Sequence, residues 1–109
     1  MVPALNDRMR EKLLPMVRTL VERFHPRKII LFGSQAAGGA RPDSDADLVV
    51  LADSDVPPLH LAAEMSAAVD HSVPLDIVVF RPADWEASIR RGGVFATLVN
   101  RDGIILHEA

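Results

Sequence analysis

The chain has 109 residues, 49% of them apolar and 25% charged, with a net charge of -3 and no cysteine. That length supports one hydrophobic core rather than two, and the balance is that of a soluble globular protein, which excludes disordered and fibrous classes. The lack of cysteine excludes disulfides, thiolate catalysis and cysteine-ligated zinc, and it agrees with a reducing compartment.

Charge is polarised along the chain. Residues 1–41 carry eight Lys or Arg against three acids, residues 42–80 carry eight acids and no Lys or Arg, and residues 81–109 carry four of each. A middle so rich in carboxylates suits a centre that works with divalent cations. The basic residues of the first part are scattered over a helical pattern, so no direct nucleic-acid binding is expected. No apolar run approaches a membrane span and the N-terminus lacks a signal-peptide core, so the expected location is the cytoplasm.

Met9, Leu13, Met16, Val17, Leu20, Val21 and Phe24 recur at helical spacing and predict an amphipathic first helix, kinked at Pro15 and ended by His25-Pro26. Lys28 to Phe32 is rich in β-branched and aromatic side chains and reads as a buried strand, broken by Gly33. A glycine-rich loop over 35–44 leads into a second strand over 46–51. Leu59, Ala62, Ala63, Ser66 and Val69 predict a short helix, and Pro74 to Phe80 a third, buried strand in which Asp76 is the only charge. From Pro82 a helix is expected, interrupted by Gly92-Gly93 with a bent continuation; Trp85, Ile89 and Ala96 line one side, and Leu98 and Val99 extend that face. Trp85, Ile89, Val94, Phe95 and Leu98 read as core, the last four also as a partner interface where a chain this small leaves some of them exposed. Ile104 to Leu106 reads as a short edge strand. The order predicts an α/β (α+β) fold, a mixed sheet covered by helices, in a single domain over 1–109.

The chemistry concentrates between Gly33 and Asp76. Asp45 and Asp47 stand two apart at the start of a strand, so their side chains share a face. Carboxylates gathered without a counterion raise one another's pKa, a conflict that a divalent cation removes. All-oxygen donors suit Mg²⁺ or Mn²⁺, and Mg²⁺ is commonly shared between a few carboxylates and substrate phosphates. Gly33 offers a turn with accessible backbone N–H groups and Ser34 a hydroxyl, together a phosphate cradle. Asp76, on a neighbouring strand, can complete the metal set and accept a proton from an attacking hydroxyl. Ser44 steadies the acidic turn and lies too far in sequence from any His or Lys to read as a nucleophile. His25, His60, His71 and His107 lack metal-ligand spacing and read as surface or turn residues.

Leu31-Phe32-Gly33-Ser34, then Asp45-Ala46-Asp47-Leu48 after ten residues, then Asp76 within Leu75-Asp76-Ile77-Val78, resemble the minimal nucleotidyltransferases of the DNA polymerase beta superfamily. The resemblance covers nearly the whole chain, and the composite spacing is far more specific than any one of its parts. It implies two-metal transfer of a nucleoside monophosphate, AMP from ATP in the first instance, to a hydroxyl, with release of pyrophosphate. Asp45 and Asp47 would ligate both Mg²⁺ ions and Asp76 one of them, while Gly33 and Ser34 hold the terminal phosphates and Ser44 and Arg41 join the nucleotide-binding set. Members of this size resemble antitoxins whose partner is a helical HEPN-type toxin, some of which adenylylate a tyrosine of that partner. Homo- and hetero-oligomers are both compatible with this. Gln35 and Ala37 depart from the family pattern, which often has arginines just after Gly-Ser, so retained metal binding with modest nucleotide affinity is expected unless Arg41 or a partner compensates.

Two rival readings follow from the same residues. A non-catalytic module would neutralise a toxin by complex formation, with Gln35 and Ala37 as marks of a disused site. A small-molecule nucleotidyltransferase would need an acceptor-binding domain for which these 109 residues leave no room.

Overall fold

Four strands form one mixed sheet in the order β3-β2-β1-β4. The computed structural model describes residues 7–33, 45–71 and 73–109, the side chains of residues 7 and 8 excepted. Helix α1 spans Asp7–Phe24, β1 Lys28–Phe32, β2 Ala46–Leu51, α2 Pro58–Ala68, β3 Leu75–Phe80, α3 Pro82–Arg90, α4 Val94–Asp102 and β4 Ile104–Glu108. β1 pairs antiparallel with both β2 and β4, while β2 and β3 run parallel. The parallel pair is joined through α2, since parallel neighbours need a crossover rather than a hairpin.

Period-two alternation in the strands divides the core into two layers. Ile29 and Leu31 of β1, with Ala46, Leu48 and Val50 of β2, face Leu13, Met16 and Leu20 of α1 and Leu61 and Met65 of α2. The intervening residues Ile30, Val49 and Leu51 face Trp85 of α3 and Ala96 and Val99 of α4. A residue's parity in β1 or β2 therefore decides which helical layer it meets. Asp45 and Asp47 share parity with Val49 and Leu51, which places them on the α3/α4 side.

Several expectations need correction. The α2 stripe is partly out of phase: Val69 is buried and Ala62 packs on the core as expected, but Leu61 and Met65 are buried outside it and Leu59 is 85% exposed. Alanine fills both faces of that helix, so small residues gave the periodicity a false maximum. The helix from Pro82 is interrupted at Gly92-Gly93 as expected, and the break is complete. It ends at Arg90, Gly92 takes φ +75°, and α4 starts afresh at Val94. Gly93 packs closely on Ser88: a Cβ there would displace the Ser88 hydroxyl and stand 3.1 Å from its carbonyl oxygen. β3 is an edge strand rather than a buried one, with Asp76 and Val78 exposed. Trp85 is core as expected, but Val94, Phe95 and Leu98 are exposed. α1 is a single helix containing Pro15, ended by His25 in the left-handed region at φ 50° with its N–H bonded to Val21 O (3.0 Å). β4 is an edge strand as expected, longer than the three residues anticipated.

Arg27 and Asp53 form an ion pair at 3.2 Å with side chains 64% and 68% exposed. Pairs this open contribute about 0–1 kcal/mol, because solvent screens the charges and both side chains lose freedom. Asp53→Asn is accordingly expected to change stability by less than about 0.5 kcal/mol in urea unfolding. That separates Asp53 from the carboxylates six and eight residues before it.

Candidate active site

β1 delivers the glycine turn and β2 the acid pair to the same end of the sheet. In the antiparallel pairing Phe32 lies opposite Asp47, so Gly33, the next residue, passes directly beside that carboxylate. Gly33 has φ +78°, and a Cβ on it would overlap Asp47 Oδ2. Both the backbone conformation and the space exclude a side chain here. The turn and the acid pair, separated by a loop in sequence, are thus in contact.

Asp76 reaches the same place through β3. Asp47 and Asp76 are register partners in the parallel pair, flanked by Ala46 with Leu75 and Leu48 with Ile77. Adjacent strands stand about 4.8 Å apart and register partners in them project to the same face. The Ala46 N–H to Pro74 O bond of 2.9 Å anchors the pairing just before these acids. Asp45 lies immediately before β2 and is exposed, Asp47 is half-buried, and Asp76 is exposed. The exposure of Asp76 reflects its edge strand, and it leaves the carboxylate open to a ligand.

Electrostatics mark Asp47 as the strained member. Burial pushes its carboxyl above the usual range, and the charges of Asp76 and then Asp45 push it further. None of the three takes part in an ion pair among the described residues. The donor set therefore fits a divalent cation: oxygen atoms only, and a like-charge conflict that such an ion relieves. Among the described residues no three His, Cys, Asp or Glu are drawn together closely enough to hold a metal ion, so the fit is one of donor type and charge rather than of an assembled site. Ser34, Gln35, Ala37, Arg41 and Ser44 lie outside the described residues.

One part of the surroundings had no sequence signal. Phe32 and Phe95 meet edge to face with centroids 5.3 Å apart, and Phe95 also contacts Phe80 and Trp85, each at 6.2 Å. The group unites β1, β3, α3 and α4, and only the fold brings those segments together.

The chain is thus a sheet covered by helices on both faces, with a glycine turn packed on a strand carboxylate at one end. A family model for a nucleotidyltransferase domain matches residues 11–99. The chain belongs to that family and is a minimal nucleotidyltransferase. Among solved structures it is similar to a toxin-antitoxin crystallised with AMP-PNP, at 24% identity and TM-score 0.55 over 86% of this chain and 72% of that one. It is also similar to a chain from Sulfolobus solfataricus assigned as a nucleotidyltransferase, at 14% identity and TM-score 0.58 over 99% of this chain and 93% of the other. At such identities these two likenesses concern the fold. No curated protein matches. No helix among the described residues is long and apolar enough to cross a membrane.

Proposed function

We propose that this chain is an antitoxin-like enzyme of the cytoplasm, acting as one domain over 1–109, that moves AMP from Mg-ATP to a hydroxyl of a HEPN-type toxin partner. The observation that carries the reading is the meeting of Gly33, Asp47 and Asp76 at one end of the sheet. The similar toxin-antitoxin structure with AMP-PNP supports the nucleotide and the partner.

Asp45 and Asp47 would hold two Mg²⁺ ions and Asp76 one of them; bound there, the ions supply charge neutralisation for the phosphates and activation of the acceptor oxygen. The turn at Gly33 and Ser34 holds the β- and γ-phosphates through backbone N–H groups and the hydroxyl, with Arg41 and Ser44 as further contacts. The acceptor oxygen bonds to the α-phosphorus as the α–β bridging bond breaks and pyrophosphate leaves, and Asp76 takes the hydroxyl proton.

The rival is a binding module that neutralises its partner without transfer, favoured by the exposed Val94, Phe95 and Leu98 beside the site. Incubation with Mg²⁺, α-labelled ATP and the product of the adjacent reading frame decides between them. Label on the partner that disappears with Asp45→Ala and with Asp47→Ala is the expected result. A tight complex that never acquires label sinks the transfer reading.

A further inference from the structure

β3 is an outer strand, and among the described residues no other strand pairs with its free side. Its ladder to β2 decides which backbone groups are left over. The Ala46 N–H bonds to Pro74 O at 2.9 Å at one end, and the Ala52 N–H to Phe80 O at 3.1 Å at the other. The N–H and C=O of a strand residue point to the same side and that side alternates along the chain, so residues 74, 76, 78 and 80 serve β2. Leu75, Ile77 and Val79 therefore turn their N–H and C=O groups outward.

Such an edge is commonly blunted by lysine, proline or a bulge. β3 has none of these within its six residues: it pairs with β2 in unbroken register, and its one charge, Asp76, belongs to the acid set. At the other edge, β4 has a register irregularity opposite Ile29 and Ile30 and ends in His107-Glu108. The side chains of β3 show where an added strand would lead. Leu75, Ile77 and Val79 pack toward the α1/α2 layer, so Asp76 and Val78 project from the opposite face, Asp76 exposed and Val78 37% exposed. A strand laid along this edge would lie about 4.8 Å away and place alternate side chains on that same face, opposite or diagonal to Asp76. Because Asp76 is the register partner of Asp47, those side chains arrive at the acid site.

We propose that the free edge of β3 binds the acceptor segment of the partner protein as an added strand, so that backbone pairing presents the acceptor hydroxyl beside Asp76. The inference rests on the nucleotidyl-transfer reading, to which it adds how the acceptor docks. Main-chain bonds supply affinity in this mode and the alternate side chains supply selection. A second copy is the competing occupant, and a symmetric pair of β3 strands would bring two acid sites of like charge onto one sheet face, which favours the partner segment.

Amide hydrogen exchange read residue by residue on the whole chain, alone and with the product of the adjacent reading frame, tests this without any substitution. The Leu75, Ile77 and Val79 amides should exchange about tenfold more slowly or less in the complex, while those of Asp76, Val78 and Phe80, already bonded to β2, change little. Ile77→Pro removes one outward N–H and leaves the β2 ladder intact, as proline at a sheet edge allows. With folding checked by circular dichroism, it should raise the KM for the partner in the α-labelled ATP assay by about tenfold, as loss of one pairing bond predicts, and leave the KM for Mg-ATP unchanged. Ile77→Val, which keeps the N–H, should change neither. Labelling of the partner while the three amides still exchange freely overturns the edge pairing and leaves the transfer reading standing, and so does a partner KM unmoved by Ile77→Pro. Protection without label overturns both, since the edge would then hold a partner that receives nothing. Protection in the chain alone that grows with its concentration assigns the edge to a second copy and overturns the proposal.

Discussion

Asp47→Asn is expected to lower nucleotidyl transfer by about a thousandfold or more, a barrier increase of about 4 kcal/mol, while raising the melting temperature of the metal-free protein. The two effects have one origin. Asp47 is half-buried, opposite Asp76 and two residues from Asp45, and its carboxyl is held above the usual range by burial and by those charges. Its ionised form is thus disfavoured in the folded state. Asparagine keeps the shape and removes the charge, so the folded state gains while the metal-binding set loses its central member.

The sign of the pH dependence follows. The folded protein binds the Asp47 proton more tightly than the unfolded chain does, so this group's stabilising contribution is complete below the usual carboxylate pKa. It is lost as pH rises through the raised folded value. Melting curves in chelator should therefore show wild type and Asp47→Asn converging at low pH and separating above that window, with the wild type lower. Mg²⁺ or Mn²⁺ should raise the wild type at neutral pH and leave the variant nearly unmoved, because an ion bound only by the folded state stabilises it by mass action. A variant that is less stable than the wild type in chelator at neutral pH would contradict the charge-conflict account.

Local patterns carried far into the fold and stopped where pairing became non-local. The unbroken apolar runs Ile29 to Leu31 and Leu48 to Val50 made both strands visible, and Gly33 and the Asp45-Asp47 pair sit at their ends, so that part of the candidate site was legible in consecutive residues. Asp76 was legible as an anomaly, a charge in an apolar run. Its position opposite Asp47 is a matter of parallel register across α2, which no local period encodes. Its exposure came from β3 lying at the sheet edge, again a property of strand order. On α4 the apolar residues were all legible, but spacing did not separate Ala96 and Val99, which pack on the sheet, from Phe95 and Leu98, which stay exposed. Two apolar faces of one short helix cannot be ranked by spacing alone.

Gly33→Ala is expected to cost transfer about a hundredfold, although the substitution adds one methyl group outside the acid set. Two costs act at this position. At φ +78° any L side chain is disfavoured, by about 1–2 kcal/mol, which by itself would lower the melting temperature by several degrees in a domain of this size. The added Cβ would also overlap Asp47 Oδ2, so the carboxylate must rotate away from the position in which it faces Asp76. A double-mutant cycle separates the two. With Asp47→Ala in the background the nearest Asp47 atom remaining is its Cβ, 3.7 Å from the new methyl and in ordinary contact, so only the backbone cost persists. Urea unfolding should accordingly show Gly33→Ala to be more destabilising in the wild type than in the Asp47→Ala background. Equal costs in the two backgrounds would mean that Gly33 serves the backbone alone, and the loss of transfer would then have to come from the phosphate turn rather than from a displaced carboxylate.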